Sequence, residues 1–407
     1  MSQCRFCRKP LTRTLIDFGL QPLANSYLRP DQLQFPEPRY PLHAKVCESC
    51  FLVQVDHDVS PQAIFSEYAY FSSYSPSWVE HARHYAQAMI SRFALHQNSL
   101  VVEIASNDGY LLQHFKTAGI GVLGIEPAGN VAKEAEARGI KTEVAFFNRD
   151  TAARLRATGV QADLMAANNV LAHVPDLNEF VSGFPLILSN QGVLTVEFPH
   201  LLNLIEQTQF DTIYHEHYSY LSLLACERIF GAHGMRVFDV EELPTHGGSL
   251  RLFVCHNSAD HNSSEGLTFV RQKEQLAGIG DLTTYDGFNV RAEVIRGELK
   301  EFLQDARANN LKVTAYGAAA KGNTLLNYCG IGTHLISAVF DKNPHKQDHY
   351  LPGSQIPIKS PDHISHIKPD VLLILPWNLR AEIMAEQSTI KEWGGRFVTA
   401  IPKLNVF

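Results

Sequence analysis

The chain contains no run approaching the roughly 18 to 20 apolar residues that a membrane span requires, and its start, Met1-Ser2-Gln3-Cys4-Arg5, lacks the apolar core of a secretory signal. A cytoplasmic protein with no membrane partner is therefore expected. Positive charge is also in short supply: 35 Lys and Arg stand against 42 Asp and Glu, a net charge of -7. That balance offers no electrostatic footprint for a polyanion, so no nucleic-acid partner is expected. Cysteine is sparse and odd in number, with Cys226, Cys255 and Cys329 isolated among the seven. An oxidising compartment is disfavoured by that pattern. With 45% apolar and 19% charged residues over 407 positions, the composition is that of a globular protein of two or three domains.

The other four cysteines form two knuckles, Cys4-Arg5-Phe6-Cys7 and Cys47-Glu48-Ser49-Cys50. Two Cys-x2-Cys pairs can place four thiolates around one tetrahedral Zn2+, with a redox dithiol or two disulfides as the competing readings. Four thiolates would fill the coordination sphere, which makes the metal structural. Residues 1 to 75 balance seven basic against seven acidic side chains, so this module has no phosphate-holding excess either.

The stretch that organises the chain is Val101-Val102-Glu103-Ile104-Ala105-Ser106-Asn107-Asp108-Gly109-Tyr110-Leu111-Leu112. A strand over Leu100 to Ile104 carries Glu103 to the carboxyl edge of a parallel sheet, where open α/β sheets bind ligands. Ala105, Ser106, Asn107 and Gly109 then make the turn into a helix. The carboxylates would repel a diphosphate but suit a ligand with a cationic amino-acid end, such as S-adenosylmethionine (SAM). A second strand, Gly121 to Ile125, ends in Glu126, placed to meet ribose hydroxyls. Further strands are expected at Leu164 to Ala167 and Gly192 to Phe198, with helices at Val131 to Arg138 and Leu177 to Leu188. This alternation predicts a doubly wound sheet. Asn168 and Asn169 close the third strand ahead of His173. Phe146 and Phe147 could flank an adenine ring or could equally be core contacts.

Before this unit, Tyr68-Ala-Tyr-Phe-Ser-Ser-Tyr74-Ser75 is an aromatic and hydroxyl cluster read as a packed hinge or as a lid. After it, Phe210-Asp-Thr-Ile-Tyr214-His215-Glu216-His217-Tyr-Ser-Tyr220 is the densest chemical stretch. So many polar tips each need a partner when buried, which points to a site. His215-x-His217 could ligate a metal, or a carboxylate beside a histidine could hold a base poised near pH 7. Strands at Val237 to Val240 and Leu250 to Cys255, joined through Gly247-Gly248, close the sheet. A polar arm runs into a helix from about Tyr285 to Ala308.

A second α/β unit opens at Leu311-Lys-Val-Thr-Ala-Tyr316-Gly-Ala318-Ala-Ala-Lys321-Gly-Asn323-Thr324. Small residues, outward helix N–H groups and Lys321 suit a phosphate or diphosphate, with tight helix-on-strand packing as the bland alternative. Strands at Leu335 to Phe340 and Val371 to Leu375 bring Asp341, Asn343, Lys346, Trp377 and Asn378 to the same edge, where a base or ribose could lie.

Taken jointly and in order, the paired knuckles, Glu103-Ile-Ala-Ser-Asn-Asp-Gly109, Tyr214-His-Glu-His217 and Tyr316-Gly-Ala-Ala-Ala-Lys-Gly-Asn323 make the chain resemble the sugar C-3'-methyltransferases that act on nucleotide-linked 4-keto-6-deoxysugars. Ala105 stands where that family's turn leads one to expect glycine. The resemblance implies an α/β protein with a zinc-binding module (1–75), a Rossmann-like SAM-binding methyltransferase domain (76–258), a helical connecting arm (259–310) and a second Rossmann-like domain that holds the nucleotide (311–407). It implies SAM and a structural Zn2+ as cofactors, a dTDP- or GDP-linked 4-keto sugar as substrate, and His217 as general base oriented by Glu216. Tyr214, His173 and Tyr74 would hold the sugar or enolate oxygen. A methyltransferase of another small molecule or of RNA is the alternative. A monomer is expected.

Overall fold

The computed structural model describes residues 2–55, 73 and 76–407. The cluster around Tyr74 lies outside the described residues, apart from Ser73. Three sheets organise the described residues. The first is four-stranded and antiparallel, with β1 (Arg13–Gln21), β2 (Tyr40–Val46) and β3 (Val53–Val55) in order, then β9 (Ser219–Tyr220) at its edge. Thus a segment far along the chain completes the sheet of the cysteine module: Val53 pairs with Tyr220 and Gln54 with Ser219.

The second sheet has seven strands. Its parallel part comprises β4 (Leu100–Ile104), β5 (Gly121–Ile125), β6 (Thr142–Glu143), β7 (Ala162–Ala166) and β8 (Leu188–Pro199); β11 (Ser249–His256) pairs antiparallel with β8, and β10 (Met235–Leu243) antiparallel with β11, for the order β10-β11-β8-β7-β4-β5-β6. Strands β4 and β5 fall where the apolar pattern places them. Because β4 has β5 on one side and β7 on the other, chain direction around the sheet reverses at β4, and the crevice at its carboxyl end is the natural ligand position. The helix read across 177–188 is two short ones, Leu177–Val181 and Phe184–Ile187, with Gly183 between them. A side chain at Gly183 would meet the ring of Phe147, so the break serves close packing.

The third sheet, in order β14 (Ile358–Lys359), β13 (Val339–Phe340), β12 (Val313–Tyr316), β15 (Val371–Ile374), β16 (Arg396–Thr399) and β17 (Asn405–Val406), is parallel except at β17. It repeats the reversal at β12, between β13 and β15. The strand expected over 335–340 shrinks to Val339–Phe340, because Leu335 and Ile336 both turn back to the Gly332 carbonyl. Their apolar character reflects burial in the core and not an extended backbone. One continuous core joins the first sheet, the helix Phe288–Ala308 and the third sheet. Among the described residues no helix is long and apolar enough to cross a membrane.

Candidate active site at the junction of three sheets

Cys4, Cys7, Cys47 and Cys50 gather with their sulfurs within 4.8 Å of one another. The closest pairs, Cys4 to Cys50 at 3.5 Å and Cys7 to Cys47 at 3.4 Å, are far longer than a disulfide and close to the edge of a tetrahedron with Zn–S near 2.3 Å, about 3.8 Å. Gln54 donates to the Cys4 sulfur at 3.2 Å while its own carbonyl accepts from the Arg5 N–H, a second layer that fixes the ligand. The donor set fits Zn2+ and excludes the disulfide reading.

At the carboxyl end of β4, Ala105, Asn107 and Gly109 all take positive φ, at 53°, 49° and 78°. Ala105 therefore adopts the conformation that favours glycine, in spite of its Cβ. A side chain on Gly109 would strike Ile140, and one on Gly124 would strike the buried Ser106 hydroxyl, so both glycines are sterically required. Glu103 is 2% exposed and its Oε2 has no hydrogen-bond partner among the described residues. Burial, then the nearby Glu126 and Asp108, pushes its carboxyl well above the usual range. An orphaned, buried acceptor is what a cationic ligand group would complete. Glu126 accepts from the Asn107 N–H at 2.9 Å and the Ala128 N–H at 2.8 Å, which fixes its outward lone pairs. Asn168 leaves its buried Oδ1 unpartnered among the described residues and lines a small cleft with Trp78, His81, Tyr110 and Glu197. Asn169 supplies a positive-φ turn (57°) and bonds the Glu197 carbonyl through its N–H. These residues fit SAM.

One expectation changes in the cradle, and one open alternative is decided for Phe147. Asp108 does not face a ligand as a free charge: it is fully buried and paired with Arg138 at 3.2 Å and with the Ser73 hydroxyl. Glu126 is therefore the acidic neighbour that Glu103 faces in the cradle. Phe147 packs against Phe180 and Phe184, with ring centres 5.4 and 5.1 Å away, whereas Phe146 stands 39% exposed.

The histidine stretch leaves the seven-stranded sheet and enters the first sheet as β9. His217 Nδ1 lies 3.0 Å from the Thr212 carbonyl and Nε2 lies 2.8 Å from the Tyr214 hydroxyl. A carbonyl only accepts, so Nδ1 carries the proton and Nε2 presents a lone pair to the phenol. Burial and the neighbouring His173 hold His217 well below the usual histidine value, so the ring is neutral. The His173 ring meets it edge to face at 4.7 Å, and burial brings His173 down to about 4. Glu216 does not orient His217. Its Oε1 accepts from Asn25 of the cysteine module at 2.7 Å, and burial raises the carboxyl to about 7. His215 points to the carbonyls of Tyr40 and Pro41 on β2, at 3.3 and 3.2 Å, and joins no metal-like cluster among the described residues.

The corner after β12 lies against this stretch. Thr324 donates to the Ile213 carbonyl at 3.0 Å, and Asn323, 1% exposed, donates to the Ala24 carbonyl at 2.6 Å. Asn323 therefore braces the corner against the cysteine module through its amide N–H, while its buried Oδ1 has no hydrogen-bond partner among the described residues. Tyr316 packs its ring among Phe340 and Ile374 on one face of the sheet. Ala318 gives its N–H to Asp341 at 2.7 Å and its carbonyl to Lys346 at 2.7 Å and to Tyr27 at 2.6 Å. Asn343 is held by Asp341 through its N–H at 2.8 Å. Lys321, at the first turn of the helix Ala320–Cys329, donates to Asn378 at 2.8 Å and lies 5.0 Å over the Trp377 ring. The indole of Trp377 donates to Asp211 at 2.8 Å. Burial lifts the Asp211 carboxyl to about 6 while the Lys321 cation opposes the shift, and the same cation bears on His217 and His246.

Asn25, Asp211 and His246 were not singled out from sequence. Asn25 sits in an irregular proline-rich loop, Asp211 was overshadowed by the histidines beside it, and His246 lies in what looks like a plain hairpin turn. A histidine directly before Gly247-Gly248 was the available signal.

Three family descriptions match the chain in order: a zinc-binding domain over residues 4–65, a methyltransferase domain over 78–240 and a C-methyltransferase C-terminal domain over 244–402. C-methyltransferase NovU of Streptomyces niveus is 35% identical over 406 residues, covering 100% of this chain and 97% of that protein. Among solved structures, magnesium protoporphyrin IX methyltransferase of Synechocystis PCC 6803 with bound SAH is 16% identical, with a TM-score of 0.36 over 44% of this chain and 83% of that one. A methyltransferase of Clostridium acetobutylicum ATCC 824 gives 11% identity and a TM-score of 0.36, over 44% of this chain and 92% of that one. Likeness of that degree carries no argument here.

Proposed function

This chain belongs to the C-methyltransferase family, whose members depend on SAM, and from that premise we propose that it methylates C-3' of a nucleoside-diphosphate-linked 4-keto-6-deoxysugar through an enolate. The observation that carries the reading is the neutral His217, whose Nε2 is an acceptor because Thr212 holds the proton on Nδ1. Around it meet the cysteine module, the cradle sheet and the basic corner of the third sheet.

In a 4-keto sugar the hydrogen on C-3' is acidified by the adjacent carbonyl. His217 Nε2 takes that proton. Tyr214, which occupies Nε2 in the absence of substrate, is displaced and can donate to the oxygen on which charge develops. His173 lies edge to face with His217, and Tyr74 would hold the sugar or the enolate oxygen. Glu216, with a carboxyl near half-protonated at neutral pH, can donate to or accept from the sugar. Glu103, Ala105, Ser106, Asn107, Gly109, Glu126, Asn168, Asn169 and the half-exposed Phe146 would hold SAM, which when bound supplies an electrophilic methyl on a cationic sulfur. Lys321, Lys346, Asp341, Asn343, Trp377, Ala318 and Tyr316 would bind or frame the nucleotide, dTDP or GDP. The four cysteines would hold a Zn2+ that takes no part in the chemistry.

His217→Asn is expected to lose about 10² to 10⁴ in turnover while retaining SAM affinity, since a positioned base contributes that much. Methyl transfer and exchange of the C-3' hydrogen in deuterated water read it out, and near-normal activity removes the assigned role. Melting with SAM product and with dTDP or GDP tests the substrate class. A ligand at about 100 times its Kd adds roughly 2.7 kcal/mol. Stabilisation by SAM product alone would return the reading to a methyltransferase of another small molecule or of RNA.

A further inference from the structure

The loop from Pro244 to Gly248 connects β10 to β11 and is wedged between two halves of the site. Its His246 sits at φ 56° and ψ 17°, a left-handed conformation uncommon for residues other than glycine, though less so for His, Asn and Asp. Gly247 and Gly248 follow at φ 92° and 108°. A side chain on Gly247 would run into the Trp377 indole, and one on Gly248 into Asn203, so packing on both sides fixes the loop. Backbone strain persists where the surroundings over-determine it, and such places cluster at functional sites.

The side chain held in this way is unusual for an enclosed imidazole. Neither ring nitrogen of His246 makes a hydrogen bond to any described residue, although the ring is only partly exposed. The ring rests 5.6 Å from Trp78, which lines the cleft beside Asn168 and Glu197 on the cradle side. Trp377, which the next residue abuts, carries Lys321 over its face. His246 therefore stands between the cradle and the basic corner, with neither ring nitrogen committed to a described residue. Burial, then the charge of Lys321, holds the imidazole at about 4, with Glu197 opposing and His81 and His173 adding to the effect. At neutral pH the ring is uncharged and keeps one N–H to donate.

We propose that His246 is a further catalytic residue that donates a hydrogen bond to the substrate carbonyl oxygen as it becomes an enolate. The inference rests on the C-methyltransferase mechanism proposed above and adds to Tyr214 a second donor for the oxygen on which the negative charge develops. Proton removal beside a carbonyl needs an acceptor for the proton and a donor for the oxygen. His217 Nε2 is the acceptor, already equipped with its lone pair, and His246 supplies the donor from the cradle side. The imidazole keeps its proton throughout: the electron pair of the broken C–H bond passes to the enolate, the proton passes to His217, and the N–H of His246 shortens its contact with the oxygen. A neutral imidazole suits this role because a donor that is not a full acid cannot trap the enolate by protonating it.

Two variants test the proposal without threatening the fold. His246→Gly removes the ring and accepts the left-handed backbone freely, so its melting temperature should equal or exceed that of the wild type. His246→Asn also tolerates that backbone and returns an N–H donor. Wild type and both variants are assayed with a dTDP- or GDP-linked 4-keto-6-deoxysugar for methyl transfer and, in the presence of SAM product and deuterated water, for exchange of the hydrogen beside the carbonyl. His246→Gly should lose about 10² to 10³ in kcat and in exchange rate, the loss typical of one oxyanion donor, with KM changed only a few-fold. His246→Asn should stand about tenfold or more above His246→Gly. Exchange by the wild type together with near-normal turnover of His246→Gly, a loss confined to KM, or no recovery in His246→Asn overturns the role of His246 and leaves the methyltransferase reading intact. No exchange and no transfer by the wild type overturns both.

Discussion

Replacing Glu216 by Gln should stabilise the protein, by an amount that grows as pH rises from about 4.5 to about 7 and is constant above. The Glu216 side chain is 6% exposed, and the hydrogen bond that its carboxylate accepts in the structure comes from Asn25 Nδ2, at 2.7 Å. Burial raises its carboxyl from an ordinary 4.5 to about 7, with Asn25 and the Lys346 cation only partly offsetting the effect. The sign follows from the proton count. Below about pH 4.5 both folded and unfolded chains are protonated there and the shift costs nothing. Between 4.5 and 7 the unfolded chain ionises while the folded one resists, so stability falls as pH rises. Above 7 the deficit is constant, and a shift of about 2.5 units at 1.36 kcal/mol each gives about 3 kcal/mol. Gln keeps an oxygen for Asn25 and does not titrate. The difference between Glu216→Gln and wild type should therefore be below about 1 kcal/mol at pH 4.5 to 5 and reach about 3 kcal/mol in favour of Gln by pH 8, read from urea midpoints across that range. The same variant should lose turnover if Glu216 serves the sugar, since strained charges at sites trade stability for activity. A pH-independent difference, or a less stable Gln variant at pH 8, would refute the reasoning.

Two other perturbations separate backbone strain from metal support. Ala105→Gly removes the cost of a Cβ at φ 53°, about 1 to 2 kcal/mol, against a loss of about 0.5 to 1 kcal/mol from the freer unfolded chain, so a net gain near 0.5 to 1 kcal/mol is expected in equilibrium unfolding; a destabilised variant would contradict the strain argument. Cys47→Ser should release one zinc per chain by metal analysis, lower the melting temperature and cut turnover about a hundredfold, because β3 holds β9 two residues after His217 and a misplacement near 1 Å has that effect. Full turnover without zinc would show that the module does not position the histidine.

Much of the fold was legible because its signals are local. The strands Leu100–Ile104 and Gly121–Ile125 are short apolar runs bounded by turn residues, and the four cysteines carry a spacing that metal geometry dictates. The turn after β4 was legible for the same reason, and the family resemblance marked Ala105 as its departure. The run at 335–340 reads as a strand because burial and extension produce the same apolar pattern, and only the turn at Gly332 tells them apart.

What the sequence by itself determined is the set of elements and the chemistry they carry: a tetrathiolate module, an acidic cradle, a cluster of histidine and tyrosine, and a corner with a lysine. Tertiary structure decided which of these groups meet. Asn25 lies 191 residues from the Glu216 it holds, and Asp211 lies 166 residues from the Trp377 that bonds it. Packing turned Asp108 into a neutralised pair, gave the orientation of His217 to a carbonyl, and brought His246 out of an ordinary-looking turn to the mouth of the site. Periodicity and steric limits act over a few neighbouring residues and can be read there. The partner of a buried charge is set by three sheets packing together, and no local pattern encodes it.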